Sequence, residues 1–430
     1  MSTNSEDPHS DMQANLANEG SWLTVLNLSA VTLCVMLGLS MVAPILPTYA
    51  ESFQVSYVLV GFVISAFAVT RMILDMPAGL LSRRYEKRKI MIIGLLLIVT
   101  SSILAGVAPS YLVLVIARMI EGSGSALYVT AATVFLAQIS GEKKRGKYMS
   151  LYMGMLLLGS IFGPTFGGYL ADIYDIHAPF FAYALVAGSG MIPTLFLPRL
   201  NNSGNTNISF EPRMTLQDMR QVLSYPSFLL AGFATFSLFF IRTGVRSTLV
   251  PLFAANNLGL DSTAIGLILT FGGIATAITM VPMGSISDRI GRKLPLILCL
   301  LLTAGITLMI PSSNNLVSLS ISLVIYGAFI GISGPLAAYV TDLSPQDKLE
   351  ISMGLYRMIG DLGFVIGPLF LGYVADITAT QVVGAEHSGL IGLEPFAVAC
   401  VLLIISGLLL LKADDPARQK RFVKKAEETH

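Results

Sequence analysis

Charge is what this sequence has least of. Only 12% of its 430 residues are Asp, Glu, Lys or Arg, about half the roughly 25% usual for soluble domains, while 54% are hydrophobic. A chain so apolar cannot cover a water-facing surface with polar groups, so the surplus must face lipid or other buried helices. A net charge of +1 argues against a nucleic-acid partner. The three cysteines, Cys34, Cys299 and Cys400, lie in apolar stretches; they cannot make a disulfide framework and read as packing residues. Four histidines, His9, His177, His387 and His430, fall in tails or loops, with no metal-ligand or nucleophile pattern around them. A Gly-Lys-Ser/Thr phosphate loop is also missing, which disfavours ATP-driven pumping. No enzyme activity, cofactor or metal is expected. The first twenty residues are polar and acidic and do not resemble a secretory signal.

What is present is a series of long apolar runs. A bilayer core of about 30 Å needs roughly 20 mostly apolar residues per helix, and twelve such stretches occur, at 22–49, 58–81, 90–108, 111–139, 148–171, 179–197, 228–254, 263–286, 294–310, 316–341, 351–375 and 393–411. The expected fold is an all-α membrane protein of twelve transmembrane helices in two six-helix bundles. The expected layout is a tail over 1–21, a first bundle over 22–198, a linker over 199–226, a second bundle over 227–412 and a tail over 413–430. Within the linker, 214–223 reads either as a short amphipathic surface helix or as plain linker.

Lysine and arginine are sorted by loop. Arg83, Arg84, Lys87, Arg88 and Lys89 follow the second span, Lys143, Lys144, Arg145 and Lys147 the fourth, Arg289, Arg292 and Lys293 the eighth, and Lys348 the tenth. The alternate loops, holding Glu51, Pro109, Asp172, Asp261, Asn314 and Glu386, contain none. The basic loops and both termini are therefore expected on the cytoplasmic side. Without a targeting segment, a plasma (cell inner) membrane is the expected location.

The chain also repeats itself. Pro77-Ala78-Gly79 recurs as Pro282-Met283-Gly284, each before a basic loop. Tyr152, Gly159, Gly163-Pro164, Gly168-Tyr169 and Ala171-Asp172-Ile173 recur as Tyr356, Gly363, Gly367-Pro368, Gly372-Tyr373 and Ala375-Asp376-Ile377. Two blocks at nearly one offset make the halves parallel repeats, a layout that places a binding site between bundles near the midplane.

The loop Gly284-Ser285-Ile286-Ser287-Asp288-Arg289-Ile290-Gly291-Arg292-Lys293 resembles the signature loop of the major facilitator superfamily. Its glycine lets helices approach closely, and its charges can make and break contacts at a gate. The matching first-half loop, Gly79-Leu80-Leu81-Ser82-Arg83-Arg84-Tyr85-Glu86-Lys87-Arg88, has Arg83 where that pattern has aspartate and Glu86 where it has glycine; Asp75 keeps another acidic position. Leu37-Gly38 with Pro44-Ile45-Leu46-Pro47, and Arg118-Met119-Ile120-Glu121-Gly122, resemble motifs of twelve-span drug:proton antiporters. So does Gly159-Ser160-Ile161-Phe162-Gly163-Pro164-Thr165-Phe166-Gly167-Gly168, which is similar to the antiporter motif. The resemblance implies a major facilitator fold, proton coupling near Arg118, and export rather than uptake. The residues alone also allow a merely kinked, close-packed helix at the fifth span, with glycines three or four apart and Pro164 bending it.

Charges inside a span cost about 2.5 to 3.5 kcal/mol each on insertion scales, so each is a candidate. Arg71 with Asp75, Arg118 with Glu121, and Arg357 with Asp361 are spaced to pair along their own helices, either as simple neutralisation or as working groups. Glu121 is the first choice for proton coupling, with Arg118, Asp75 and Asp361 beside it. Arg242 and Arg246 have no acid on their helix; they either snorkel to the outer interface or make the cavity electropositive. Phe67, Tyr128, Tyr152, Phe236, Phe240, Tyr326 and Tyr356 are candidate cavity aromatics. The expected function is proton-coupled export of amphipathic small molecules or drugs by a monomer in a lipid bilayer. The alternative is an exporter of organic anions, metabolites or lipids with an arginine-containing cavity.

Overall fold

The structure, a computed structural model, describes residues 8–198, 216–381 and 389–416. Among the described residues, eleven helices are long and apolar enough to cross a membrane: α1 (Trp22–Val42), α2 (Tyr57–Ser82), α3 (Lys87–Gly106), α4 (Tyr111–Ile139), α5 (Lys144–Ile173), α6 (Ala178–Leu195), α7 (Pro226–Asn256), α8 (Ser262–Ile290), α9 (Lys293–Ser312), α10 (Leu316–Leu343) and α11 (Ile351–Thr378). The twelfth, α12 (Glu394–Leu410), is apolar but shorter, at 17 residues. All twelve expected stretches thus fold as helices.

Local chemistry moves several boundaries. The expected first span ends early at Val42, and Leu46–Glu51 forms a separate short helix with a proline in its first turn, because Pro44 and Pro47 each remove a backbone donor. Upstream, the helix that contains α1 begins at Pro8, inside the stretch read as a tail. Similarly, α10 breaks between Gly331 and Leu336, around Gly334-Pro335. Of the linker, 199–215 lies outside the described residues, as do 1–7, 382–388 and 417–430. Leu216–Leu223 is helical rather than plain linker, and Asp218 pairs with Lys348 at 3.0 Å. Thr380–Gln381 and Gly389–Leu390 make a two-residue antiparallel pair, a small departure from all-α.

The repeat is visible in the packing. In the first bundle α1 packs on α5, α2 on α4 and α3 on α6; in the second α7 packs on α11, α8 on α10 and α9 on α12. The bundles meet along two seams, α5 with α8 and α2 with α11. Chain direction puts the lysine- and arginine-rich loops together at one end, called here the basic face, and the loops without them at the other, the opposite face.

Candidate functional site between the bundles

The site begins with how the bundles touch. Near the opposite face the seams are backbone against backbone: a methyl group on Gly168 would sit 2.0 Å from the Ser262 carbonyl oxygen, and one on Gly372 2.5 Å from that of Tyr57. One turn deeper, Gly266 meets the Pro164 carbonyl and Gly61 that of Pro368, at 2.2 and 2.3 Å by the same measure. The rest of the glycine row in α5 faces α1, where Gly159, Gly163 and Gly167 pack against Leu33, Ser40 and Met41. Helices approach this closely only where no side chain intervenes.

Two carboxylates lock these seams. Asp172, at the end of α5, accepts from the Ser262 and Thr263 amides at 3.1 and 2.7 Å. Asp376, its repeat partner at the end of α11, accepts from the Tyr57 and Val58 amides at 2.6 and 2.9 Å. The first amides of a helix have no partner within it and carry partial positive charge, so a carboxylate from the other bundle satisfies both needs. Deeper in the seams Thr165 Oγ1 donates to Thr270 Oγ1 at 2.8 Å, Thr270 Oγ1 to the Ile161 carbonyl at 2.9 Å, and Ser65 Oγ to the Val365 carbonyl at 2.7 Å. Beyond α1, the Asn256 side-chain amide donates to Glu51 at 2.8 Å. Each of these contacts between bundles lies in the half towards the opposite face.

Behind this closure lies a partly open cavity of about 140 Å³, lined among others by Ser40, Phe67 and Arg118 of the first bundle and Ser247 and Phe364 of the second. Arg118 and Glu121 form a buried ion pair on α4, and the guanidinium lies over the Phe67 ring at 4.9 Å. Glu121 Oε1 and Arg118 Nε are buried without a hydrogen-bond partner among the described residues. The Tyr183 hydroxyl is the other polar neighbour of Glu121. Its ring occupies the space where Gly38 lacks a side chain; a methyl there would fall 1.9 Å from the ring.

Across the cavity, α7 is locally π-helical over Arg242–Leu249, with Ser247 Oγ reaching the Arg242 carbonyl at 3.4 Å. Arg242 lies at the middle of α7 and is exposed, with Tyr326 and Tyr356 as charge neighbours. Arg246 donates to the Leu269 carbonyl of α8 at 3.0 Å, and its Nη2 would lie 3.4 Å from a methyl on Gly273, beside Ile161 of the first bundle. Towards the basic face, Arg71 and Asp75 of α2 approach to 3.9 Å. Arg357 and Asp361 of α11 are their neighbours across the seam, so four charges gather between the bundles. Tyr128 and Tyr152 are fully buried in the first bundle, Tyr128 bonded to Thr32 at 2.9 Å, whereas Tyr356 is half-buried.

The loop motifs lie at the basic face. Arg292 pairs with Asp288 at 3.2 Å and with Asp342 of α10 at 2.8 Å, and Gly291 turns the chain with φ of 97°, a conformation that favours glycine. Open space surrounds Gly284, the Gly79 hydrogen faces Thr130, and Arg84 lies over the Tyr85 ring at 5.8 Å. Arg289 ends α8. Sequence reasoning missed Tyr183, Glu51, Asn256 and Thr270 as site residues; Asp172 and Asp376 were visible only as repeat markers.

A family model described as the Major Facilitator Superfamily matches residues 28–245 and again 232–429. The chain is 28% identical over 390 residues to Multidrug resistance protein 1 of Bacillus subtilis, covering 89% of this chain and 94% of that protein. It is 24% identical over 346 residues to Quinolone resistance protein NorA of Staphylococcus aureus, covering 80% and 87%. Among solved structures, a bacterial homologue of the human lysosomal transporter Spinster, inward-facing and unoccupied, superposes with a TM-score of 0.76 at 15% identity over 93% of this chain and 97% of that one. A D-xylose-proton symporter does so at 0.69 and 16%, over 92% and 98%. At such identities the structural likeness is one of fold.

Proposed function

The chain belongs to the Major Facilitator Superfamily, and from that premise we propose that it is a proton-coupled antiporter exporting amphipathic small molecules by alternating access. The multidrug and quinolone resistance proteins among its relatives support drug-like cargo. The observation that carries the coupling is the Arg118–Glu121 pair, with the arginine on the cavity wall and the carboxylate beside the Tyr183 hydroxyl. A carboxylate that can part from its arginine when the cavity admits water or cargo is a group able to take up and release a proton. Asp75 and Asp361, in the seam between α2 and α11, are the second candidates, and Arg71 and Arg357 their counter-charges.

In this reading the basic face is cytoplasmic by the distribution of lysine and arginine, in a plasma membrane, with both termini on that side. The two bundles, over 22–198 and 227–412, rock about the midplane as a monomer, joined by the 199–226 linker. Closure at the opposite face then makes this the inward-facing state. The Gly79–Arg88 and Gly284–Lys293 loops act as the cytoplasmic gate, and the α5 glycines with Pro164 form its external counterpart.

Transport into proteoliposomes under an imposed pH gradient tests the proposal, with cationic, neutral and anionic compounds and with native protein against Glu121→Gln. Gradient-driven accumulation by the native protein, falling to the level of protein-free liposomes in the variant, is the expected result. Movement that ignores the gradient or survives the substitution would move the coupling role elsewhere.

A further inference from the structure

The charges within the spans do not balance. Away from the helix ends, the spans carry five arginines, Arg71, Arg118, Arg242, Arg246 and Arg357, against three carboxylates, Asp75, Glu121 and Asp361. Arg118 is matched by Glu121, and Arg71 and Arg357 share Asp75 and Asp361. The remaining two positive charges sit on α7, at positions 242 and 246, one turn apart and beside each other. Among the described residues no carboxylate pairs with either.

An unpaired cation in the membrane interior is costly, and two adjacent ones repel as well. Lipid contact does not explain them. Arg246 is tied to the α8 backbone and lies beside Ile161 of the other bundle. Ser247, bonded back to the Arg242 carbonyl, lines the cavity. Arg242 itself is exposed at the middle of its helix. Its charge neighbours are the tyrosines 326 and 356, which carry no negative charge to match it. The π-helical turn over Arg242–Leu249 sets this stretch apart, and such turns recur at functional positions.

We propose that Arg242 and Arg246 form an anion subsite between the bundles, beside the cavity that Ser247 lines, which takes the carboxylate or an equivalent anionic group of the amphipathic cargo, with Tyr326 and Tyr356 flanking its apolar part. The subsite rests on the transport reading above and gives it a substrate class: amphiphiles that carry an acidic group, alone or within a zwitterion. Guanidinium groups suit such a group because their planar donors match a carboxylate.

Equilibrium binding to the purified full-length protein tests this without using transport. The probes are 1-pyrenebutyrate and its methyl ester, which share a ring system and differ in charge, followed by fluorescence anisotropy. The native protein is expected to bind the acid about tenfold more tightly than the ester, or about 1.4 kcal/mol. Arg242→Gln and Arg246→Gln should each bring that ratio close to one, and Arg242→Lys should keep part of it. Since the readout is a ratio within one preparation, general loss of folded protein does not mimic the effect, and elution as a single species checks each variant. Equal affinities in the native protein, no binding of the acid, or an unchanged ratio in both glutamine variants would overturn the subsite. Failure of the proton-gradient experiment with the ratio intact would overturn the coupling mechanism and leave the subsite standing.

Discussion

Glu51 lies outside the spans, where Leu46–Glu51 reaches across to the other bundle. Burial pushes its carboxyl above the ordinary carboxylate range, and hydrogen bonds from Asn256 and Tyr57 pull it part of the way back. Opening this face would return the group to water and to the ordinary carboxylate range. The closed state therefore binds the proton more tightly, so acid favours closure and the preference fades as pH rises through the raised value. Distances between labels on the two bundles at this face should shorten in the native protein as pH falls from about 7 to about 5. Glu51→Gln should hold them short at every pH; a native protein insensitive to pH would remove this role. Glu121 and Arg118 were legible in the sequence because an acid and a base three residues apart inside an apolar run are costly to insert and can offset each other only by pairing. Tyr183 and Glu51 were not, since each works through partners far along the chain.

At the scale of elements, Asp172 and Asp376 hold the amino-terminal ends of α8 and α2. Losing a capping side chain typically costs about 1 kcal/mol, roughly a fivefold change in an equilibrium constant. Asp172→Ala or Asp376→Ala should shift the balance of the two faces towards opening by about that factor. The caps sit at different seams with no shared partner, so the double variant should approach thirtyfold. Spin-label distance distributions would read the populations, and a double variant no different from either single one would show that the seams do not act independently. The repeat of Ala-Asp-Ile was plain at the level of sequence, but its purpose was not, because the amides it serves belong to the other half. Proline marked the breaks after α1 and within α10, whereas the π-helical turn of α7 had no sequence signal.

Across the whole molecule the pseudo-symmetry holds for the backbone and fails for charge. The four charges between α2 and α11, at 71, 75, 357 and 361, correspond by the repeat to Thr276 and Met280 of α8 and Met153 and Leu157 of α5. Seams that match in backbone packing at one face thus have a charged cluster beneath one of them and no charged counterpart in the repeat-related positions of the other. If closure at the opposite face alternates with opening, a bond across it must stop transport. Thr165 and Thr270 present oxygens 2.8 Å apart, so cysteines placed there, in a chain freed of Cys34, Cys299 and Cys400, should form a disulfide. Oxidation should abolish transport and reductant restore it; full transport by the oxidised protein would mean this seam need not part. The architecture was legible from hydropathy and the repeat. Which face is closed was not, because a conformational state is a property of contacts that several sequences of the same pattern can make or break.

The glycine seams set a tolerance on that closure. Where the space at Gly61, Gly168, Gly266 and Gly372 is too small for a methyl group, the shut position is gauged by backbone alone and cannot adjust to what lies behind it. If the protein moves cargo of varied size as proposed, that variation must be absorbed on the other side of the molecule, one end then working as a fixed stop and the other as the adjustable jaw.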